Sequence, residues 1–478
     1  MRTLRRILFY VFLVLYLVAA PLTILYSLGY IVRPGHEHGF VKSGLIALGT
    51  TPPGGRVFVG HSRYSRRTPT VIRDLLPGAY NVRITLPGHQ AWNGVVRVEA
   101  EKATRLDELI LLPQDLAPVV LDEGPFVDLI PAPLPDLLLL NRGDRLDEQL
   151  VYDADDEQLR PLLSTNPVGP SALLRRSHRV DESPRTLLEV EAEGRTHYLW
   201  CRLDKREEAE DISALLPEPP DAVTWDRRSD DELFARHGTG VSRLDLDDRA
   251  IYPGILSHVL SLGVYRDHLY ALDQSNRFFR ANREGRNSER VGKAPSEVRT
   301  FWGSRTGYAL HFVDDELVLF EGDEGELYAN QEPHLLVERN AHGLQPHPRD
   351  RRLLVWDRRR LGWIDLTRET GIRELTPRVS WLYENAQPIQ HAAWVHDGTH
   401  IVYSAGGQLY LLALEPGGGP PARALAPCHD HLPFVFSERS GRLYYLDAAR
   451  RLNALRILPG RDLLPRAAAR DGRKEAAP

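Results

Sequence analysis

Apolar positions fall into three regimes along the 478-residue chain. From Ile7 to Val32 they form a nearly unbroken, uncharged run; from Gly44 to Pro113 they alternate with period two; from about Leu116 to Leu458 they come as short runs between Asp-, Gly- and Arg-rich turns. The first regime predicts a helix that, at about 1.5 Å per residue, crosses a hydrocarbon core of about 30 Å. Arg2, Arg5 and Arg6 precede it, and only Arg33 and Lys42 follow closely. The positive-inside bias then predicts a cytoplasmic stub at 1–6, a single-pass anchor in the lipid bilayer at 7–32, a juxtamembrane linker at 33–43 and an extracytoplasmic remainder, periplasmic or on the cell surface. A cleaved signal peptide ending at the "VAA" of 18–20 is the rival reading. It puts Pro21 directly after the cut, and the apolar run continues past the about 7–15 residues of such a core. An uncleaved anchor kinked at Pro21 fits better.

In the second regime, "YNVRITL" puts Tyr80, Val82, Ile84 and Leu86 on one face and Asn81, Arg83 and Thr85 on the other. That is the pattern of a half-buried strand. "RVFV" before it and "GVVRVEA" after it read as further strands, with Pro52, Pro53, Gly54, Gly55, Pro77, Gly78, Pro87 and Gly88 marking connections. About five to seven short strands over 44–113 make a small antiparallel sandwich. Tyr80 and Trp92 are expected to fill its core rather than to present a ligand platform.

This segment resembles a PEGA domain. Pro52-Pro53-Gly54-Gly55 takes the place of the family's Pro-Glu-Gly-Ala turn, and "RVFVG" follows in the strand position. The "TPT" at 68–70, "LLPGAYNVRI" at 75–84 and "LPGHQAW" at 86–92 then appear in the family's order. Pro53 and Gly55 depart from the motif but keep its turn character. The resemblance implies an extracytoplasmic module for envelope binding or spacing, and no catalysis.

In the third regime, "HAAWVHDGTHIVYSAGGQLYLLAL" at 391–414 sets a recurrence: an apolar or aromatic position, a polar turn, and a strand resuming seven residues later. "GLQPHPRDRRLLVWDRRRLGWIDL" at 343–366 follows it with Pro346 for Trp394 and Leu353 for Ile401, and Phe436 to Leu443 repeats the spacing. Looser copies start at Ala222 and Arg299, with a partial one at 263–273. Copies some 35–50 residues apart match four-stranded propeller blades. Trp394, Asp397 and Gly398 resemble the aromatic and Asp-Gly turn of TolB-type and WD-like blades. The expected fold class is therefore mainly β: a transmembrane helix, the small PEGA-type sandwich, a propeller at 116–458 with seven blades favoured and eight possible, and a disordered tail at 459–478. The whole resembles bacterial PEGA-domain membrane proteins. A row of sandwich domains fits less well, because strand spacing is uniform and no Pro/Ser linker interrupts 116–458.

A net charge of -5 gives no basic surface for nucleic acid. "CHDH" at 428–431 is the one compact run of metal-ligand types, but its spacing matches no zinc pattern, and "HEH" at 36–38 reads as a solvated linker. "DDE" at 314–316 and "SDDE" at 229–232 are pairs that 65 acidic residues produce by composition, best read as turns. "RRR" at 358–360 has the charge to grip an anionic polymer, yet between two strands it reads as a solvated turn or edge. There is no G-x-S-x-G elbow, Walker loop or strand–GxGxxG–helix unit. The expectation is a non-enzymatic envelope scaffold without metal or cofactor, whose propeller recognises an envelope protein or cell-wall polymer. The alternative is a hydrolase or lyase acting on envelope glycans or peptides, which requires carboxylates or histidines clustered at the ring axis. A sensor is a third reading, and the short arm at 1–6 would then need a membrane partner.

Overall fold

The computed structural model describes residues 2–27, 30–32, 40–60, 62–134, 136–180, 182–205, 209–227, 231–275, 277–293, 308–313, 317–322, 325–330, 336–366, 378–414 and 422–460. A helix runs Arg2–Ser27. Tyr30–Val32, which the sequence placed inside the span, is instead a strand paired antiparallel with Phe40–Lys42. Among the described residues no helix is long and apolar enough to cross a membrane, so the predicted transmembrane anchor at 7–32 is not upheld. The apolar run outlasts the helix, whose last residue is Ser27, because β-branched residues such as Ile31 and Val32 also suit a strand.

The period-two segment folds as two facing sheets. One has three strands, ordered Thr70–Leu75, Gly44–Thr51, Ala103–Ile110, with the last pair parallel. The other has four, ordered Ser62–Arg67, Arg56–Val59, Gly78–Thr85, Trp92–Val98. Alternate residues point inward: Val57 and Val59, Val82 and Ile84, and Trp92, Val96 and Val98 close over Ile46, Leu48, Ile72 and Leu106. The opposite positions, Arg83, Arg97 and Asn81, are exposed.

The remaining described strands form eight four-stranded sheets, so the structure has the larger of the two predicted blade numbers. Blades 1 to 8 begin at Asp128, Leu173, Ala222, Val259, Ala309, Gly343, Ile389 and Phe434, and each is an antiparallel meander whose strands we letter a to d. The a strands of neighbouring blades touch, Val259–Tyr265 with Ala309–Phe312 and Gly343–Pro346 with Ile389–Val395, so they surround the axis. Blade 8 takes its d strand from the other end of the region: Val119–Asp122 pairs with Leu452–Arg456, Val119 opposite Ala454. Strand a of blade 8 also touches strand a of blade 1, which closes the ring.

Each blade is covered on both faces, which is why its central strands are continuous apolar runs. Along Leu137–Asn141, Leu137 and Leu139 pack with Leu188 and Leu199 of blade 2. The alternate Leu138 and Leu140 pack with Tyr444 and Leu446 of blade 8. Leu269 and Ala271 likewise face Phe234 and Val241 of blade 3, while Tyr270 and Leu272 face Val318 and Phe320 of blade 5. No blade can bury both faces alone, so stability depends on closure.

The sequence recurrence has a simple geometric meaning. Trp394 lies opposite Ile401, Pro346 opposite Leu353 and Phe436 opposite Leu443 across their a–b hairpins. Blade 1 keeps the same spacing, with Pro131 opposite Leu138, and in blade 2 Arg179 lies opposite Thr186.

Candidate functional site

An antiparallel meander puts the start of strand a, the b–c turn and the end of strand d at one end of a blade. At that end of blade 6 lies a cavity of about 600 Å³. Its walls are Asn340, Ala341 and His342 from the linker into the blade, the b–c turn Asp357–Arg360, and Glu384 at the end of strand d.

The turn is fixed by Asp357. Its buried carboxylate accepts the Arg359 N–H at 2.8 Å, the Arg360 N–H at 2.6 Å and Arg360 Nε at 2.7 Å. Arg360 also lies 4.0 Å over the Trp381 ring. Burial by itself would push the Asp357 carboxyl up, but the two backbone N–H groups and the guanidinium outweigh it and hold the group below the usual carboxylate range. The same clamp recurs at two other b–c turns. Asp273 takes the N–H groups of Ser275 and Arg277 and Arg277 Nε at 2.8, 2.9 and 2.7 Å. Asp447 takes those of Ala449 and Arg451 and Arg451 Nε at 2.9, 3.0 and 2.8 Å.

Arg358 and Arg359, inside the blade 6 clamp, are held by their backbones. The Arg358 carbonyl accepts from Ile389 N and the Arg359 carbonyl from Asn385 N, both at 2.7 Å, while His342 N donates to the Trp356 carbonyl at 2.7 Å. Both side chains are exposed, and among the described residues neither guanidinium has a hydrogen-bond or ion-pair partner. Three arginines against the carboxylates of Asp357 and Glu384 leave the lining one net positive charge with His342 neutral. Exposed guanidinium groups in such an arrangement can accept an anion.

The sandwich residues singled out in the sequence occupy a different place. Gly54, at φ 95, and Gly55 follow Pro52 and Pro53 in a turn pinned by the buried Thr68. Gly54 N donates to the Thr68 carbonyl at 2.8 Å, Gly55 N to Thr68 Oγ1 at 2.9 Å, and Thr68 N to the Gly55 carbonyl at 3.0 Å. Thr68 Oγ1 also meets Thr50 Oγ1 at 2.5 Å. Thr50 had no signal of its own in the sequence. Pro77 and Gly78 are exposed where their strand begins, Tyr80 is half-buried with its hydroxyl donating to the Leu76 carbonyl at 2.9 Å, and Trp92 is buried.

In the propeller, Trp394 joins blades 6 and 7: its backbone N donates to Gln345 Oε1 at 2.7 Å and its Nε1 to the Gln345 carbonyl at 3.2 Å. Asp397 joins three blades, paired with Arg349 of blade 6 and donating its N–H to Glu438 Oε1 of blade 8 at 2.8 Å. Gly398 has φ 87 and lies against the His347 ring, where a Cβ would collide. These three residues hold blades together at the a–b end, away from the blade 6 cavity by the meander's geometry.

The other chemical readings resolve locally. Cys428 is buried, which pushes its thiol up to about 12, the reverse of a metal-binding thiolate. Asp430 Oδ1 accepts Gly407 N at 2.8 Å. No group of three or more His, Cys, Asp or Glu suited to a metal occurs among the described residues. Of "SDDE", the buried Glu232 pairs with Arg283 at 3.0 Å and Arg243 at 3.4 Å. Residues 36–38, 229–230, 314–316 and 461–478 lie outside the described residues. His391 lies on strand a of blade 7. Burial lowers its pKa, the His431 carbonyl and Asp128 oppose that, and His342 reinforces it.

The fold is thus a β-propeller carried in one chain with a β-sandwich, and residues 43–110 match the PEGA domain. No curated protein matches the chain. Among solved structures, the chain is similar to the β-propeller domain of Cps50 (Swd1) from Myceliophteria thermophila, at 12% identity and a TM-score of 0.38 over 72% of this chain and 100% of that one. It is similar to the C-terminal WD40 domain of Sif2 at 10% identity and a TM-score of 0.47, over 73% and 98%. It is also similar to YCF48 from Cyanidioschyzon merolae at 12% identity and a TM-score of 0.36, over 70% and 96%.

Proposed function

We propose that the chain is a non-enzymatic binding scaffold whose propeller docks a protein partner of the cell envelope. The observation that carries this reading is the contrast on blade 6. Asp357 and Arg360 are consumed in building a rigid turn, while Arg358 and Arg359 are held outward by their backbones over a preformed cavity. A turn whose backbone is already fixed confines the ordering cost of binding to the two side chains. The PEGA match at 43–110 supports a second role for the sandwich, as the module that spaces or docks the propeller. Fold by itself does not choose a partner, so the reading rests on the site.

The test is chemical cross-linking of the full chain in its native cells, identification of the cross-linked protein, and calorimetry with both proteins purified. A saturable complex is the expected result. Failure of every cross-linked protein to bind in purified form would remove the proposal.

A further inference from the structure

Resting on the scaffold reading, we infer that Arg358 and Arg359 form a carboxylate-binding pair that receives an acidic peptide segment of the partner.

The first argument is internal to the fold. The clamp at a b–c turn needs one Asp and one Arg, and the residues between them are left open by the geometry. Blade 4 fills them with Gln274, Ser275 and Asn276; blade 8 uses Ala448, Ala449 and Arg450. Blade 6 fills both of its positions with arginine, and the turn itself requires neither. Their charge is therefore surplus to folding, and burying neither side chain avoids a desolvation cost.

The second argument is the cavity. Two backbone carbonyl bonds of 2.7 Å root the adjacent Arg358 and Arg359 at one turn, and guanidinium forks match carboxylates in a bidentate geometry. Asn340 and His342 add polar groups to the same lining. The single net positive charge of the lining suits isolated carboxylates. Glu384 in the same wall, together with a net charge of -5 for the chain, disfavours a densely charged polyphosphate or nucleic acid.

The experiment uses the full chain and a fluorescent glycine-serine peptide carrying two separated glutamates, with the same peptide carrying glutamines as control, read by anisotropy. The glutamate peptide should bind and the glutamine peptide should not. R358A/R359A should weaken binding about tenfold or more with an unchanged melting temperature, because both side chains are exposed. R97A/R105A removes the same charge from the exposed face of the sandwich and should leave affinity unchanged. Equal binding by wild type and R358A/R359A, equal loss in R97A/R105A, or stronger competition by inorganic phosphate than by acetate would each overturn the assignment. Failure is separable from that of the scaffold reading. A cross-linked partner that binds R358A/R359A as tightly as wild type leaves the scaffold standing and removes this site.

Discussion

Arg360 Nε donates to Asp357 Oδ2 at 2.7 Å, and that one bond closes the b–c turn on which the blade 6 cavity stands. Because the same carboxylate takes two backbone N–H groups, Asp357→Ala leaves three donors without their acceptor. A loss of about 2–3 kcal/mol is expected in urea unfolding at neutral pH. The sign of the pH dependence follows from the depressed folded pKa. The contribution is complete above the ordinary aspartate range and disappears as pH falls through the folded value. Wild type and variant should therefore converge in acid.

Gly55 stands where the PEGA motif has alanine, and here it is buried. A Cβ would lie 2.6 Å from Ile84 Cγ2 and 3.2 Å from Thr68 Oγ1. Gly55→Ala, although it restores the family residue, is expected to destabilise the chain by about 1–3 kcal/mol. Thermal unfolding followed by circular dichroism checks this, and an unchanged melting curve would show that Ile84 moves aside freely.

Removing Val119–Asp122 should unlock the ring. It deprives Leu452–Arg456 of its partner and leaves an unpaired strand edge on blade 8. The expected outcome is a lower melting temperature together with concentration-dependent association in size-exclusion chromatography.

The folded state should weaken as pH falls below neutral. Burial lowers the His391 pKa, so the unfolded chain takes up a proton that the folded chain resists. Stability attached to this group is present above its unfolded pKa and is lost as pH falls toward the folded one. His391→Gln should flatten that part of the profile, measured as the urea midpoint at successive pH values.

Both thiols should be silent in the native protein. Burial pushes Cys201 and Cys428 up to about 12, so at pH 8 almost no thiolate is present. A disulfide reagent should titrate neither residue rapidly in buffer and both in denaturant. Fast reaction of either thiol in buffer would mean that its blade opens.

Several features were legible because they are local. The alternation in "YNVRITL" is the strand pleat itself, and the seven-residue spacing in the late repeats is the span of an a–b hairpin, Trp394 to Ile401. The role of the arginines at 358–360 was not legible. Arg360 differs from its two neighbours only because Asp357 and Trp381 lie within reach, and neither contact is written in the order of residues.

The amino-acid sequence determined the class of structure: a two-residue alternation that makes strands, glycine and proline turns that separate them, and a PEGA-like module ahead of a repeated β unit. Tertiary structure decided the helix boundary, the number of blades, the closure of Val119 against Ala454 and the pairing of Arg349 with Asp397. The physical reason is range. Periodicity reports which face of a strand avoids water, whereas ring closure and surplus charge depend on what residues far away in the chain bring to that face.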